Sequence, residues 1–241
     1  MIFHIDSKNN KNVIFAFKLK DKKYQNEYKK FLSEGFYNFE LALKAGVVES
    51  IFTLSKIDGI DPKIDQFIVN ETIISKLSSY KTPQPIIFIC NMKTIPLKNK
   101  NRLIYLDNIQ DPGNLGTILR TAYAFNYDGL ILSKNCCSVY NEKVISSSKG
   151  AIFCFPFVVD ELKNYKGSHF IVASSLENKS IDISISKIKN PFIICLGNES
   201  NGISEETKEL ADEFVIIPIS NINSLNVGVA SGILLYEFKD K

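Results

Sequence analysis

The sequence predicts an α/β protein in two parts, a small leading α/β module and a larger domain built on a parallel sheet. Three observations predict it. From Leu103 onward short apolar runs recur with helical patterns between them, the rhythm of β-α-β units. A polar, lysine-rich stretch punctuated by Pro96 separates this region from what precedes it. The chain's 241 residues, 45% hydrophobic and 23% charged, suffice for one large core or two modest ones.

In the leading part the apolar positions Tyr24, Tyr28, Phe31, Leu32, Phe39, Leu41 and Leu43 fall at helical spacing on either side of a break at 33–35. This predicts a helix, a short strand and another helix over 21–45. Residues 48–54 read as a strand, 71–79 as a short helix and 85–90 as a buried strand. The stretch 91–102, NMKTIPLKNKNR, is the linker candidate. The expected division is therefore a leading domain over 1–95, a linker over 96–102 and a second domain over 103–241. In that second domain 103–106, 129–132, 153–158, 169–174, 192–196 and 214–217 read as strands, and 115–126, 141–150, 204–212 and 225–238 as helices.

Composition excludes several classes. The longest apolar runs, 85–90 and 192–196, fall far short of the roughly 18 residues that a membrane span requires. The opening MIFHIDSKNNKN breaks any secretory apolar region at once, so a cytoplasmic protein is expected. The five cysteines, Cys90, Cys136, Cys137, Cys154 and Cys195, form no C-x-x-C pair, which predicts buried reduced thiols. With only His4 and His169 to add imidazole, no metal site is expected. The net charge of +3 is unevenly spread: residues 1–100 hold sixteen lysines against ten acids, and 101–241 hold thirteen basic against sixteen acidic residues. A positive leading part suits contact with a polyanion, and equally suits plain solvation.

Three stretches carry chemistry. DPGNLGTILRT at 111–121 follows a strand and opens a helix, and its Pro and Gly let a backbone or ligand come close. The plainer reading has Asn114 capping the helix and Arg120 as a solvated charge. The stretch fits neither a dinucleotide fingerprint nor a P-loop. Among 27 lysines the chain has only two arginines, Arg102 and Arg120. Lysine thus serves wherever plain positive charge suffices, and Arg120 is expected to grip phosphate or carboxylate at two points. LGNESNGI at 196–203 leaves the carboxyl end of a buried strand, where α/β proteins bind ligands, and offers Glu199 as an acceptor. IPISNINSLNVGVASG at 217–232 leads into an almost wholly apolar helix. There Ser224 is a candidate cap, and Asn226, at the start of a helix expected to be buried, needs hydrogen-bond partners.

As an ordered set, DPGNLGTILRT, LGNESNGIS and IPISNINSLNVGVA resemble the three motifs of the SpoU (TrmH) family of RNA 2′-O-ribose methyltransferases, over residues 103–238. The resemblance implies a SPOUT-type fold, a parallel sheet with helices whose C-terminal segment threads a trefoil knot, against the general rule of un-knotted chains. It implies methyl transfer from S-adenosyl-L-methionine to a ribose 2′-hydroxyl. Gly197, Ile217, Leu225 and Asn226 would bind the cofactor, and Arg120, Asn114, Glu199, Ser224 and Asn226 would form the catalytic set. It also implies a homodimer in which the arginine serves a site completed by the partner chain. The N-x-x-x-x-x-R spacing from 114 to 120, with S-L-N at 224–226, favours ribose over base as the acceptor.

The leading part has its own likeness. FLSEG at 31–35, ELALKAG at 40–46 and Ile51-Phe52 resemble the module that precedes the catalytic domain in many SpoU enzymes, which is similar to RNA-binding α/β/α ribosomal proteins. Members with this module mostly modify ribosomal RNA, so 23S ribosomal RNA is the expected substrate. Transfer RNA, or a non-catalytic RNA-binding role, is the alternative. Two departures bear on the pocket's backbone contacts: the segment between Pro218 and Ser224 is one residue short of the family pattern, and Ser200 stands where glycine is commoner.

Overall fold

The computed structural model describes residues 1–97, 100–176 and 179–241. Two positions of the expected linker, 98 and 99, lie outside the described residues. The chain divides into two compact units, one of residues 1–93 with 140–154, the other of residues 94–139 with 155–241.

The elements run β1 (Ile2–Ile5), α1 (Lys11–Lys18), α2 (Lys22–Tyr28), β2 (Lys30–Glu34), α3 (Phe36–Lys44), β3 (Val48–Thr53), β4 (Asp65–Val69), α4 (Glu71–Leu77) and β5 (Ile86–Asn91). They continue with β6 (Arg102–Leu106), α5 (Pro112–Ala124), β7 (Gly129–Leu132), α6 (Glu142–Ser147), β8 (Phe157–Val159), β9 (Phe170–Ser174) and β10 (Ile181–Asp182). β11 (Phe192–Leu196), α7 (Glu205–Leu210), β12 (Glu213–Ile216) and α8 (Val227–Phe238) complete the chain.

In the first unit the sheet order is β1-β4-β3-β5-β2. β1, β4 and β3 are parallel, and β5 runs antiparallel to β3 and β2. Val13, Ala16 and Leu19, at helical spacing around α1, pack with Ile73 and Leu77 of α4 against Phe52, Phe67 and Ile87 of the sheet. The sequence reading did not anticipate β1, α1 or β4. β1 keeps three of its four residues exposed, and α1 exposes the apolar Ile14 and Phe17 between its buried Val13 and Ala16 and the following Leu19, which blurs its period in the sequence. Residues 140–154, expected within the second domain, group with this unit. The Tyr140 ring lies 4.8 Å from Phe31, and Phe153 lies 6.2 Å from Phe31 and 6.5 Å from Phe88.

The second unit is the expected parallel sheet, of seven strands in the order β10-β12-β9-β11-β6-β7-β8, with every pairing parallel. Strands buried on both faces read as unbroken apolar runs, and all five residues of β11 are buried. The strand expected over 153–158 is corrected: Ala151–Phe153 is a 3-10 turn and β8 begins only at Phe157, after Pro156, which has no N–H to give a ladder. α8 is apolar on all sides. It buries Gly228, Ser231, Leu234, Leu235 and Phe238 and leaves Val229, Ile233 and Tyr236 exposed.

All five cysteines are free thiols. Cys90 and Cys195 are fully buried, which pushes their thiols up, whereas Cys136, Cys137 and Cys154 are only half-buried. No helix among the described residues is long and apolar enough to cross a membrane.

Because its strands are parallel, the second unit carries all its strand carboxyl ends on one edge. The loops after β9, β11 and β6, three neighbours in the sheet, emerge there side by side.

Candidate active site

The site begins at the end of β6. Asp107 is buried, and its carboxylate accepts from the Ser204 backbone N–H at 2.7 Å and from Asn108 Nδ2 at 2.8 Å. Asn108 turns the chain at φ 59°, a left-handed conformation that asparagine tolerates. Its carbonyl accepts from Asn198 Nδ2 at 2.8 Å, which ties the loop after β6 to the loop after β11.

The second loop folds back on itself. Asn198 and Gly202 exchange two backbone hydrogen bonds of 2.8 and 2.9 Å, while Asn198 Oδ1 receives the N–H groups of Ser200 and Asn201. A β-carbon at Gly197 would stand 2.2 Å from the Gly202 carbonyl carbon, so only glycine permits this fold.

This fold presents Glu199 to the start of α5. Its carboxylate accepts from Asn114 Nδ2 at 3.0 Å, from the Asp111 N–H at 3.2 Å and from the Gln110 N–H at 3.3 Å. Burial pushes the Glu199 carboxyl up, but these donated hydrogen bonds outweigh it and hold the group below the ordinary carboxylate range. Asp111, not Asn114, caps α5, its carboxylate accepting the Asn114 N–H at 2.9 Å. Released from capping, the Asn114 side chain also accepts from Asn226 Nδ2 at 3.0 Å. Asn226 in turn caps α8 through Oδ1, which accepts from Gly228 and Val229 at 2.9 and 3.3 Å. Two expectations are corrected here: Asn226 rather than Ser224 is the cap, and Asn226 is exposed, with both ends of its amide nevertheless hydrogen-bonded.

Beside this chain of side chains lies an open pocket of about 690 Å³ at the carboxyl ends of β9, β11 and β12. Gly197, Glu199, Ile217, Ser224, Leu225 and Asn226, all singled out from the sequence, line it together with Ile219, Ala230 and residues 174–176. Asn114 reaches it through its bonds to Glu199 and Asn226. Arg120 does not line it. Arg120 is exposed on α5, roughly 9 Å along the helix from Asn114, and no hydrogen bond or ion pair joins it to another described residue. The sequence reading missed Asp107, Asn108, Asn198 and the strand-end residues 174–176. Their only signal was position, at or just after the carboxyl ends of apolar strands.

Similar architecture is known from solved structures. An S-adenosylmethionine-bound rRNA methyltransferase from Sinorhizobium meliloti superposes with a TM-score of 0.87 over 98% of this chain and 97% of that one, at 25% identity. AviRb, a SpoU methyltransferase from Streptomyces viridochromogenes, shares the fold with a TM-score of 0.86 over 96% of this chain and 98% of that one, at 22% identity. The fold and the loop-edge pocket thus define a SPOUT-type methyltransferase. Residues 101–236 match the SpoU rRNA methylase family and residues 10–87 match an MRM3-like substrate binding domain, so the chain belongs to the SpoU rRNA methylase family. It is 31% identical to the 23S rRNA (guanosine(2553)-2′-O)-methyltransferase RlmP of Bacillus subtilis, over 98% of each chain.

Proposed function

We propose that this enzyme transfers a methyl group from S-adenosyl-L-methionine to a ribose 2′-hydroxyl of ribosomal RNA in the cytoplasm, with 23S ribosomal RNA as substrate. The observation that carries the reading is the Glu199–Asn114–Asn226 chain, which joins all three motif loops at the rim of one pocket. The Bacillus relative, aligned over 98% of each chain and named for a 23S ribose, favours ribosomal over transfer RNA.

The pocket fits the cofactor. Its volume of about 690 Å³ lies within the range of small-molecule sites, and Ile217, Ile219 and Leu225 supply an apolar wall for a nucleobase. Gly197, Ile217, Leu225 and Asn226 would hold the cofactor, which supplies an electrophilic sulfonium methyl when bound. The chain's own groups must then align the ribose oxygen and ease loss of its proton. A guanidinium is a poor base at neutral pH, so Arg120 serves by gripping the neighbouring phosphate and stabilising negative charge on the ribose oxygen, the proton leaving to phosphate or water. Ser224 and Asn226 position the acceptor nucleotide at the pocket mouth, and Glu199 and Asn114 keep the loops in register.

The place of Arg120 outside the pocket favours a homodimer. Val229, Ile233 and Tyr236 recur at i, i+4 and i+7 along α8, which packs on α5, and all three are exposed on a helix that is apolar all round. A second copy seated there covers this stripe and brings Arg120 of one protomer to the other's pocket. A threaded C-terminal segment, the trefoil knot, is favoured by the path after β12, which crosses beyond β9 and β11 to bring Asn226 against Asn114 behind β6.

Mapping ribose methylation in total RNA from cells with and without the gene tests the reading. One lost 2′-O-methyl site, restored by the wild-type gene but not by Arg120→Ala, is the expected result. No lost site and no cofactor binding by the purified protein would favour a non-catalytic RNA-binding role.

A further inference from the structure

We infer that the surface formed by α1 and α2 is where the first unit takes RNA, and that it takes unpaired nucleotides, with a base stacked on Tyr28 and the surrounding lysines on the phosphates. The inference rests on the reading of the chain as an RNA methyltransferase.

Charge places the surface. Residues 8–30 hold eight lysines against two acids, whereas the rest of residues 1–100 holds eight of each, so the whole positive excess of the leading region lies in this segment. Lys8, Lys11, Lys18, Lys22, Lys23 and Lys29 are exposed, and none forms an ion pair with another described residue. Lys30 pairs with Glu49. Of the two acids, Asp21 caps α2, its carboxylate accepting the Lys23 N–H at 2.7 Å, and Glu27 is exposed beside Tyr28. A concentrated and uncompensated positive surface fits a polyanion.

Aromatic geometry selects the form of that polyanion. Tyr28 is 41% exposed, yet its ring is braced from two sides, stacked on Tyr24 at 6.5 Å and edge-on to Phe15 at 5.1 Å. Lys18 and Lys23 sit over the Tyr24 ring at 5.4 and 5.7 Å, so cations and ring faces share one patch. A braced, half-exposed ring among cations is a stacking platform, and only unpaired bases present a free face to it.

The test uses the full chain and two probes, a short single-stranded oligoribonucleotide of mixed sequence and a duplex of the same length, together with an unmodified transcript of large-subunit ribosomal RNA as substrate. Tighter binding of the single strand is expected from the wild type. The double variant Lys18→Gln/Lys23→Gln should weaken both probes about tenfold and flatten the salt dependence for the single strand by about 1.4 in log–log slope. Tyr28→Ala should abolish the preference for the single strand while Tyr28→Phe keeps it. In each case KM for the transcript should rise with kcat and cofactor affinity unchanged, and the control Lys56→Gln/Lys63→Gln should behave as wild type. Wild-type affinity, slope and KM in both Lys18→Gln/Lys23→Gln and Tyr28→Ala would overturn the placement. A wild-type protein that methylates no RNA and binds neither probe would instead overturn the reading beneath it.

Discussion

The Glu199 carboxylate accepts four hydrogen bonds, from Asn114, Asp111, Gln110 and the neighbouring Asn198, and donates none, and this one-sidedness orders the residues behind it. The α8 N–H groups hold Asn226 with its oxygen toward the helix, so its NH2 must face Asn114, whose oxygen receives it and whose own NH2 is left for Glu199. Glu199→Gln lets the terminal amide adopt either sense, and Asn114→Ala breaks the chain at its centre. Both are expected to lower kcat about 100-fold in a methyl-transfer assay while circular dichroism stays unchanged. Because the Glu199 carboxyl titrates below its ordinary value, its contribution to stability is complete above the unfolded-state pKa and is lost as pH falls through the lowered folded value. The gap in urea midpoint between wild type and Glu199→Gln should therefore hold constant from neutrality to about pH 5 and close towards pH 3. A gap that persists unchanged to pH 3 would refute the assignment. For Arg120, replacement by lysine keeps the charge and removes the planar fork, so Arg120→Lys should retain less than about a tenth of wild-type turnover. Full turnover would remove Arg120 from the proposed mechanism.

Among the elements, the loop after β11 is the least forgiving. Gly197→Ala places a methyl group 2.2 Å from the backbone of Gly202 and is expected to cost about 2–3 kcal/mol and abolish cofactor binding, measurable by thermal melting and calorimetry. On α8, Ile233→Glu puts a charge in the middle of the exposed apolar stripe. Light scattering should then report a monomer, and turnover should fall with dimerisation while cofactor binding to the remaining fold persists; a dimeric, active variant would place the partner elsewhere. The elements that sequence reading found are those with strong periods or unbroken apolar runs. β7 runs over Gly129–Leu132 as expected, four buried residues between polar flanks. β10 has two residues and β1 buries only one, too little pattern to read. The starts of α5 and α8 were displaced because each has two polar residues able to cap, and the choice between Asp111 and Asn114, or between Ser224 and Asn226, is made by the partners the other residue finds.

In the whole molecule, the motifs identify the site while the strand order assembles it. Glycine and asparagine at 113, 114, 197, 198, 226 and 228 mark the three loops in the sequence, but Asn114 meets Glu199 across 85 residues and Asn226 across 112, contacts that no local pattern encodes. The grouping of 140–154 with the first unit was hidden for the same reason, since it depends on Tyr140 and Phe153 finding Phe31 and Phe88. That same distance along the chain acts as a clock during synthesis. At ordinary elongation rates the ribosome makes Asn114 on the order of ten seconds before Asn226. For most of that interval Asn114 has neither Glu199 nor α8 to close against, and until its end Ser224 and Leu225 are missing from the pocket wall. α8 is then anchored when its Leu235 carbonyl accepts from the Tyr127 hydroxyl at 3.2 Å and the Lys239 carbonyl accepts from Arg102. On the proposed reading of the pocket, a growing chain that lacks Ser224, Leu225 and α8 does not hold the methyl donor, and the ability to bind it reports that α8 has been made and seated.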